Sequence, residues 1–205
     1  MPTTDEQRVQ HRILAGAEKL FTTYGSSRVS MDELAAELGM SKKTLYKHFP
    51  TKEALLLQVI EAFYAQLNAD IEAIRLDEAL TFPEKMMRFI TLVATRVAVK
   101  REPFVHDLQR NAPQVWARIH TLRRETIQTQ FRALVQEGAQ RGIFRPDLDP
   151  QLITLIVLAA TERLTDPDIF DQHTYSFTEI FEGIMQVVLK GILADKEDTE
   201  GTPGR

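Results

Sequence analysis

The chain has 205 residues, 43% hydrophobic and 26% charged, with a net charge of −4. Such a composition lies outside the range of disordered chains and suits a globular protein: one compact body with a small appendage. It contains no cysteine, which excludes disulfides and thiolate zinc sites. No apolar run approaches the roughly 18 residues of a membrane span, and the polar stretch 1–10 does not read as a signal peptide, so a cytoplasmic protein with no membrane partner is expected.

Residues 7–24 place Ile13, Leu14, Ala17, Leu20, Phe21 and Tyr24 at helical spacings, with Gly25 just past the end. Ser30-Met31-Asp32-Glu33 has the form of a capping box and opens a short second helix closed by Gly39. Ser41 can cap a third helix running to about Phe49, with Leu45 and Phe49 inward and Lys42, Lys43, Thr44, Lys47 and His48 outward. Pro50 closes it. Thr51 then caps a long helix from Lys52 to about Leu76, in which Leu55, Val59, Phe63, Leu67 and Ile71 recur every four residues with no Gly or Pro between.

Thr81-Phe82-Pro83-Glu84 is another capped start, followed by a helix from Met86 to Lys100, and Phe104 to Arg110 is a short helical piece between prolines. Pro113 to Gln140 is the next helix, ended by Gly142. Asp149-Pro150 opens an apolar helix to about Leu164. Leu152 to Ala160 could also be read as a buried strand, but its proline start and its continuation through Glu162 favour a helix. A polar loop spans 165–174, a last helix runs from Tyr175 to about Leu193, and the charged tail 195–205 is expected to be disordered. The expected fold class is therefore all-α, with about nine helices.

The negative net charge argues against a nucleic-acid partner, but its distribution reverses that argument locally. Residues 1–53 carry eight Lys and Arg against seven Asp and Glu, whereas residues 54–205 carry 17 against 22. Between Met40 and Lys52 stand Lys42, Lys43, Lys47 and Lys52 with His48 and no acid. A helix, a tight glycine turn and a short polar, basic helix form the geometry that sets a helix into the major groove of double-stranded DNA, where base edges can be read. Lysines suit guanine edges or phosphates, threonine a methyl or a phosphate, and the Tyr46 phenol a backbone oxygen. A charge run can equally be a solvated face.

The run from Val29 to Leu55, above all Leu45-Tyr46, His48-Phe49, Lys52 and Leu55, closely resembles the DNA-binding signature of the TetR/AcrR family of transcriptional regulators. The signature covers about Arg8 to Phe63. The resemblance implies an all-helical homodimer whose last two helices pair with those of a partner, and a small-molecule cavity among the middle helices. It implies that Thr44, Tyr46 and Lys52 contact phosphates, and that Lys42, Lys43, Lys47 and His48 face base edges or the backbone, with Ser41 at the start of the recognition helix. Lys43 departs from the family, which usually has a small residue there. The implied domains are a helix-turn-helix at 1–53 and a ligand-binding and dimerisation body at 54–194. The implied role is a repressor that binds a palindromic operator and is released by a mostly apolar effector.

Phe63, Leu67, Met86, Ile90, Val93, Phe104, Trp116 and Phe131 could line that cavity with His120, or could fill a solid core. His106, Gln109 and Glu125 are further polar candidates. Leu152, Ile153, Leu155, Ile156, Val157 and Leu158 on the penultimate helix, and Phe177, Ile180, Phe181, Ile184, Val187, Val188 and Leu189 on the last, make a helix pair that needs cover on two sides. Leu155, Leu158, Phe177, Ile180, Phe181, Ile184 and Val188 are the candidate dimer residues. His11, His48, His106, His120 and His173 show no i, i+4 pairing, so neither metal nor cofactor is expected. An enzyme would need a phosphate-cradling glycine loop or a positioned nucleophile, and nine scattered glycines form no such loop. A helical adaptor that binds protein alone is a third reading, in which the lysines are decoration.

Overall fold

The computed structural model describes residues 4–98, 102–166 and 175–193. The expected tail at 195–205, most of the expected loop at 165–174 with His173, and the expected end of a helix at Lys100 lie outside the described residues, as does the side chain of His106. Among the described residues the chain is all-helical: α1 (Thr4–Tyr24), α2 (Met31–Glu37), α3 (Lys42–His48), α4 (Lys52–Leu76), α5 (Phe82–Val93), α6 (Glu102–Asn111), α7 (Pro113–Thr126), α8 (Arg132–Gln140), α9 (Pro150–Leu164) and α10 (Phe177–Ile192). Two π-helical turns, Ala94–Ala98 and Ile127–Phe131, prolong α5 and join α7 to α8 where plain α-helix was expected. Among the described residues the one β-type pairing is a bridge between Phe144 and Leu193.

Local chemistry explains the helix starts. Ser30 accepts from the Glu33 amide while Glu33 takes the Ser30 amide, and Ser176 with Glu179 does the same for α10. Thr51 Oγ1 accepts from the Ala54 amide, and Asp149 Oδ1 from that of Gln151. At Thr81 the Glu84 carboxylate accepts both the backbone N–H and the hydroxyl.

By packing the chain divides into two compact units, 1–67 with 99–122 and 68–98 with 123–205, so α4 and α7 each pass from one into the other. The first unit holds α1 to α3, most of α4, α6 and most of α7. Its core is Ile13, Phe21, Leu34, Leu45, Phe49, Leu55, Phe104, Leu108 and Val115, all at most 2% exposed. α1 and α2 cross closely at Gly16, where a Cβ would lie 2.3 Å from Leu38 Cδ2.

The second unit holds the end of α4, α5 and α8 to α10 around Phe82, Phe89, Phe131, Leu134, Val157 and Met185. Phe82 meets Phe144 edge-on with centroids 5.5 Å apart, and Phe89 stacks on Phe131 at 5.9 Å. Lys85 is buried in this core, but its Nζ donates to the Arg75 carbonyl at 2.7 Å and lies 3.4 Å from Glu137, so the charge is compensated.

Candidate nucleic-acid interface

The turn between α2 and α3 is set by Gly39, whose φ of 61° is open to glycine at little cost. The Gly39 and Met40 amides donate back to Ala36 and Ala35, closing α2, and Arg12 Nη2 of α1 donates to the Leu38 carbonyl at 2.7 Å. Ser41 then caps α3 by accepting from the Thr44 amide, with the Ser41 and Thr44 hydroxyls 2.8 Å apart. Leu45 and Phe49 are buried, which turns the rest of this short helix outward.

Ser41, Lys42, Lys43, Tyr46 and Lys47 are exposed, whereas Thr44, His48 and Lys52 are half-buried, and all eight lie between the N-cap of α3 and the first turn of α4. Two of the lysines have internal partners. Lys42 Nζ stands 2.5 Å from Asp32 and Lys47 Nζ 3.2 Å from Glu6, while Lys43 makes no ion pair among the described residues. Exposed pairs of this kind are weak, so a phosphate can replace the carboxylate at small cost. Burial lowers the pKa of Lys52, against the raising influence of Asp107 and Glu33.

Asp107, on α6, anchors this element from below. Its Oδ2 accepts from the Ser26 hydroxyl at 2.5 Å and the Ser27 amide at 2.8 Å, in the turn between α1 and α2, and its Oδ1 accepts from Asn111 Nδ2 at 2.8 Å. Burial alone would raise its carboxyl; the hydrogen bonds from Ser26, Ser27 and Asn111 outweigh this and hold it at about 2. Gly25, at a φ of 85°, lets the chain leave α1 toward this carboxylate, whose Oδ2 would lie 3.6 Å from a Cβ there. Sequence reasoning did not find Asp107, because Ser26 and Ser27 lie some 80 residues away and the i, i+4 pair with Asn111 is too common to mark it.

A sequence model described as "Bacterial regulatory proteins, tetR family" matches residues 13–59. The chain is 30% identical over 185 residues to the nucleoid occlusion factor SlmA of Edwardsiella ictaluri, covering 87% of this chain and 91% of that one. The chain belongs to the TetR/AcrR family of transcriptional regulators. A second family relative, the HTH-type transcriptional regulator YvaF of Bacillus subtilis, is 27% identical over 186 residues, covering 91% and 96% of the two chains. The crystal structure of the TetR family regulator PfmR from Thermus thermophilus superimposes with a TM-score of 0.56 at 25% identity, covering 87% and 97%. This TetR-family chain is thus a DNA-binding transcriptional regulator, and its family and relatives are regulators rather than enzymes.

The candidate effector residues divide between the two units. Phe63, Leu67 and Phe104 are buried in the first, where Trp116 and His120 are half-buried and meet edge-on at 4.8 Å. Gln109 is half-buried there as well. Met86 and Phe131 are buried in the second; Ile90 and Val93 are half-buried, and Glu125 is exposed. Ile90 lines a cleft of about 330 Å³ between α5 and α10, with Met87, Ala94, Met185 and Leu189.

Of the candidate dimer residues, Leu158, Phe181 and Ile184 are buried within the second unit; Phe177, Ile180 and Val188 are half-buried, and Leu155 is 46% exposed. The outer face of the pair also presents Leu152, Ile156 and Val187, at 52%, 50% and 75% exposure. Among the described residues no helix is long and apolar enough to cross a membrane, and no cluster of three metal-ligating side chains occurs.

Proposed function

We propose that this chain is a cytoplasmic repressor that binds a palindromic operator as a homodimer and is released by a small, mostly apolar effector. The observation that carries the DNA reading is the capped α3, which turns Lys42, Lys43, Tyr46 and Lys47 outward while Leu45 and Phe49 hold it to the core. Thr44, Tyr46 and Lys52 serve phosphates; Lys42, Lys43, Lys47 and His48 serve base edges or the backbone, with Ser41 at the helix start. Dimerisation is supported by the exposed stripe Leu152, Leu155 and Ile156 on α9 beside Ile180 and Val187 on α10. At Gly183 on that helix a Cβ would meet nothing within 4 Å, which leaves room for a second helix to approach.

Two-fold symmetry sets the recognition helices about 34 Å apart, one turn of DNA. α4 is one uninterrupted helix that starts at Lys52 and continues into the second unit, which suits it to carry a change of spacing when an effector binds the two dimer shapes unequally. The functional division is a DNA-binding part at 1–53 and a sensing and dimerising part at 54–194.

The test is titration of duplex from the chain's own promoter region, and of random duplex, across a salt series. The expected result is tighter binding to the promoter, with affinity falling steeply as salt rises. No binding to either duplex at low salt, without added small molecules, overturns the reading. Release of the operator by a saturating small molecule supports the effector arm, and an affinity that no candidate effector changes removes it.

A further inference from the structure

Arg123, on the last full turn of α7, is 9% exposed, and among the described residues it forms no ion pair. Its Nη1 donates to Thr165 Oγ1 at 2.6 Å, and its guanidinium carbon lies 5.6 Å from the centre of the Phe177 ring. Its Nε is closed off from solvent with no partner. The acids of the facing end of α9 are engaged elsewhere: Glu162 with Arg124 at 2.8 Å, and Asp166 with Arg163 at 2.9 Å. A guanidinium carries five donors and cannot shed its proton, so burying it without an anion is among the costlier arrangements in a protein interior.

The same helix carries a second orphan. Thr126, one turn along the same face of α7, has a buried Oγ1 with no partner. The neighbouring hydroxyls are occupied: Thr165 donates to the Thr161 carbonyl and Thr161 to that of Val157. Thr126 is therefore the hydroxyl with a proton to give, one helical turn from a guanidinium whose Nε lacks an acceptor.

From this juxtaposition we infer that Arg123 and Thr126 form an anion site in the second unit, and that its ligand is a small organic acid held by its carboxylate, with its apolar part against Phe177. A planar carboxylate matches the guanidinium fork and brings one negative charge to one positive charge, whereas a phosphate dianion would leave an excess. This deepens the effector reading by naming the ligand's class, but binding is read on the protein alone, so its failure leaves the DNA and release readings standing.

The experiment is thermal melting of the full chain in chloride-poor buffer with acetate, hexanoate and octanoate, the matching neutral amides, and inorganic phosphate. At tenfold saturation a bound acid should raise the melting temperature by about 3 to 5 °C, while the amides do not. Arg123→Met should abolish the rise, and Thr126→Val should weaken acid binding several-fold. Without any acid, Arg123→Met should melt no lower than the parent, because an uncompensated buried charge is replaced by an apolar side chain of similar volume. Three results overturn the inference: no acid exceeding its amide, phosphate stabilising where the acids do not, or Arg123→Met melting several degrees below the parent. The last would mean that a carboxylate of the chain itself already neutralises the guanidinium.

Discussion

Asp107 in the first unit, half-buried, and Arg123 in the second, buried, are charges with opposite surroundings. Among the described residues the hydrogen-bond partners of Asp107 are all donors: the Ser26 hydroxyl, the Ser27 amide and the Asn111 side-chain amide. Around Arg123 the described residues supply one acceptor and one ring. A satisfied charge fastens the segments that bear its donors, here α6 to the turn that leads into the helix-turn-helix. An unsatisfied one raises the free energy of the empty protein and is relieved by whatever brings the opposite charge. The contrast suits a part that must hold a fixed shape against DNA and a part that must respond.

The comparison can be broken most directly at Asp107. Asp107→Ala leaves the buried Ser26 hydroxyl and the Ser27 amide without their acceptor, and should cost about 2 to 3 kcal/mol in urea unfolding. A loss below about 0.5 kcal/mol would mean that water replaces the carboxylate. A second arm uses pH. The folded carboxyl is held at about 2 against an ordinary 3.8, so its contribution is complete above about pH 4 and disappears as pH falls toward 2. Asp107→Asn should remove that part of the acid sensitivity, and an unchanged acid profile would assign it to other carboxylates.

Gly25→Ala sharpens the same contrast through the backbone. At a φ of 85° a Cβ is strained, although it would meet the carboxylate only at ordinary contact distance, so a loss of about 1 kcal/mol is expected on chemical unfolding. The smallest effects belong to the surface pairs. Glu6→Gln and Asp32→Asn free Lys47 and Lys42, changing stability by less than about 1 kcal/mol. Each should strengthen binding to any duplex by a few-fold, measured by fluorescence anisotropy; weaker binding would show that these acids position the lysines rather than compete for them.

Much of the fold was legible because its signals are local. Capping by Ser30, Ser41, Thr51 and Asp149 and the turns at Gly25 and Gly39 act within four residues, so they can be read along the chain and they set the helix starts and stops. The four-residue apolar repeat of α4 announced the buried stripe from Leu55 to Ile71. The lysines of α3 were legible for the same reason: once Leu45 and Phe49 turn inward, a helix of seven residues has few other faces. Where the signal was not local, sequence reading fell short. The π turns at Ala94–Ala98 and Ile127–Phe131 carry no composition that separates them from α-helix. The all-round hydrophobicity of α9 and α10 did not say which residues face inward, and the structure buries Leu158, Phe181 and Ile184 while leaving Leu152, Ile156 and Val187 at the surface.

The amino-acid sequence by itself determined the all-helical class, the capped helix starts and the basic recognition helix, since each follows from caps, periodicity and charge within a few residues. The tertiary structure decided which charges are answered: Asp107 meets Ser26 across 81 positions of chain, Lys85 meets Glu137 across 52, and Arg123 meets Thr165 across 42 without finding an acid among the described residues. The reason is physical. Helix signals decay within a turn or two along the chain, whereas the cost of burying a charge depends on neighbours that only packing brings within 3 Å or so.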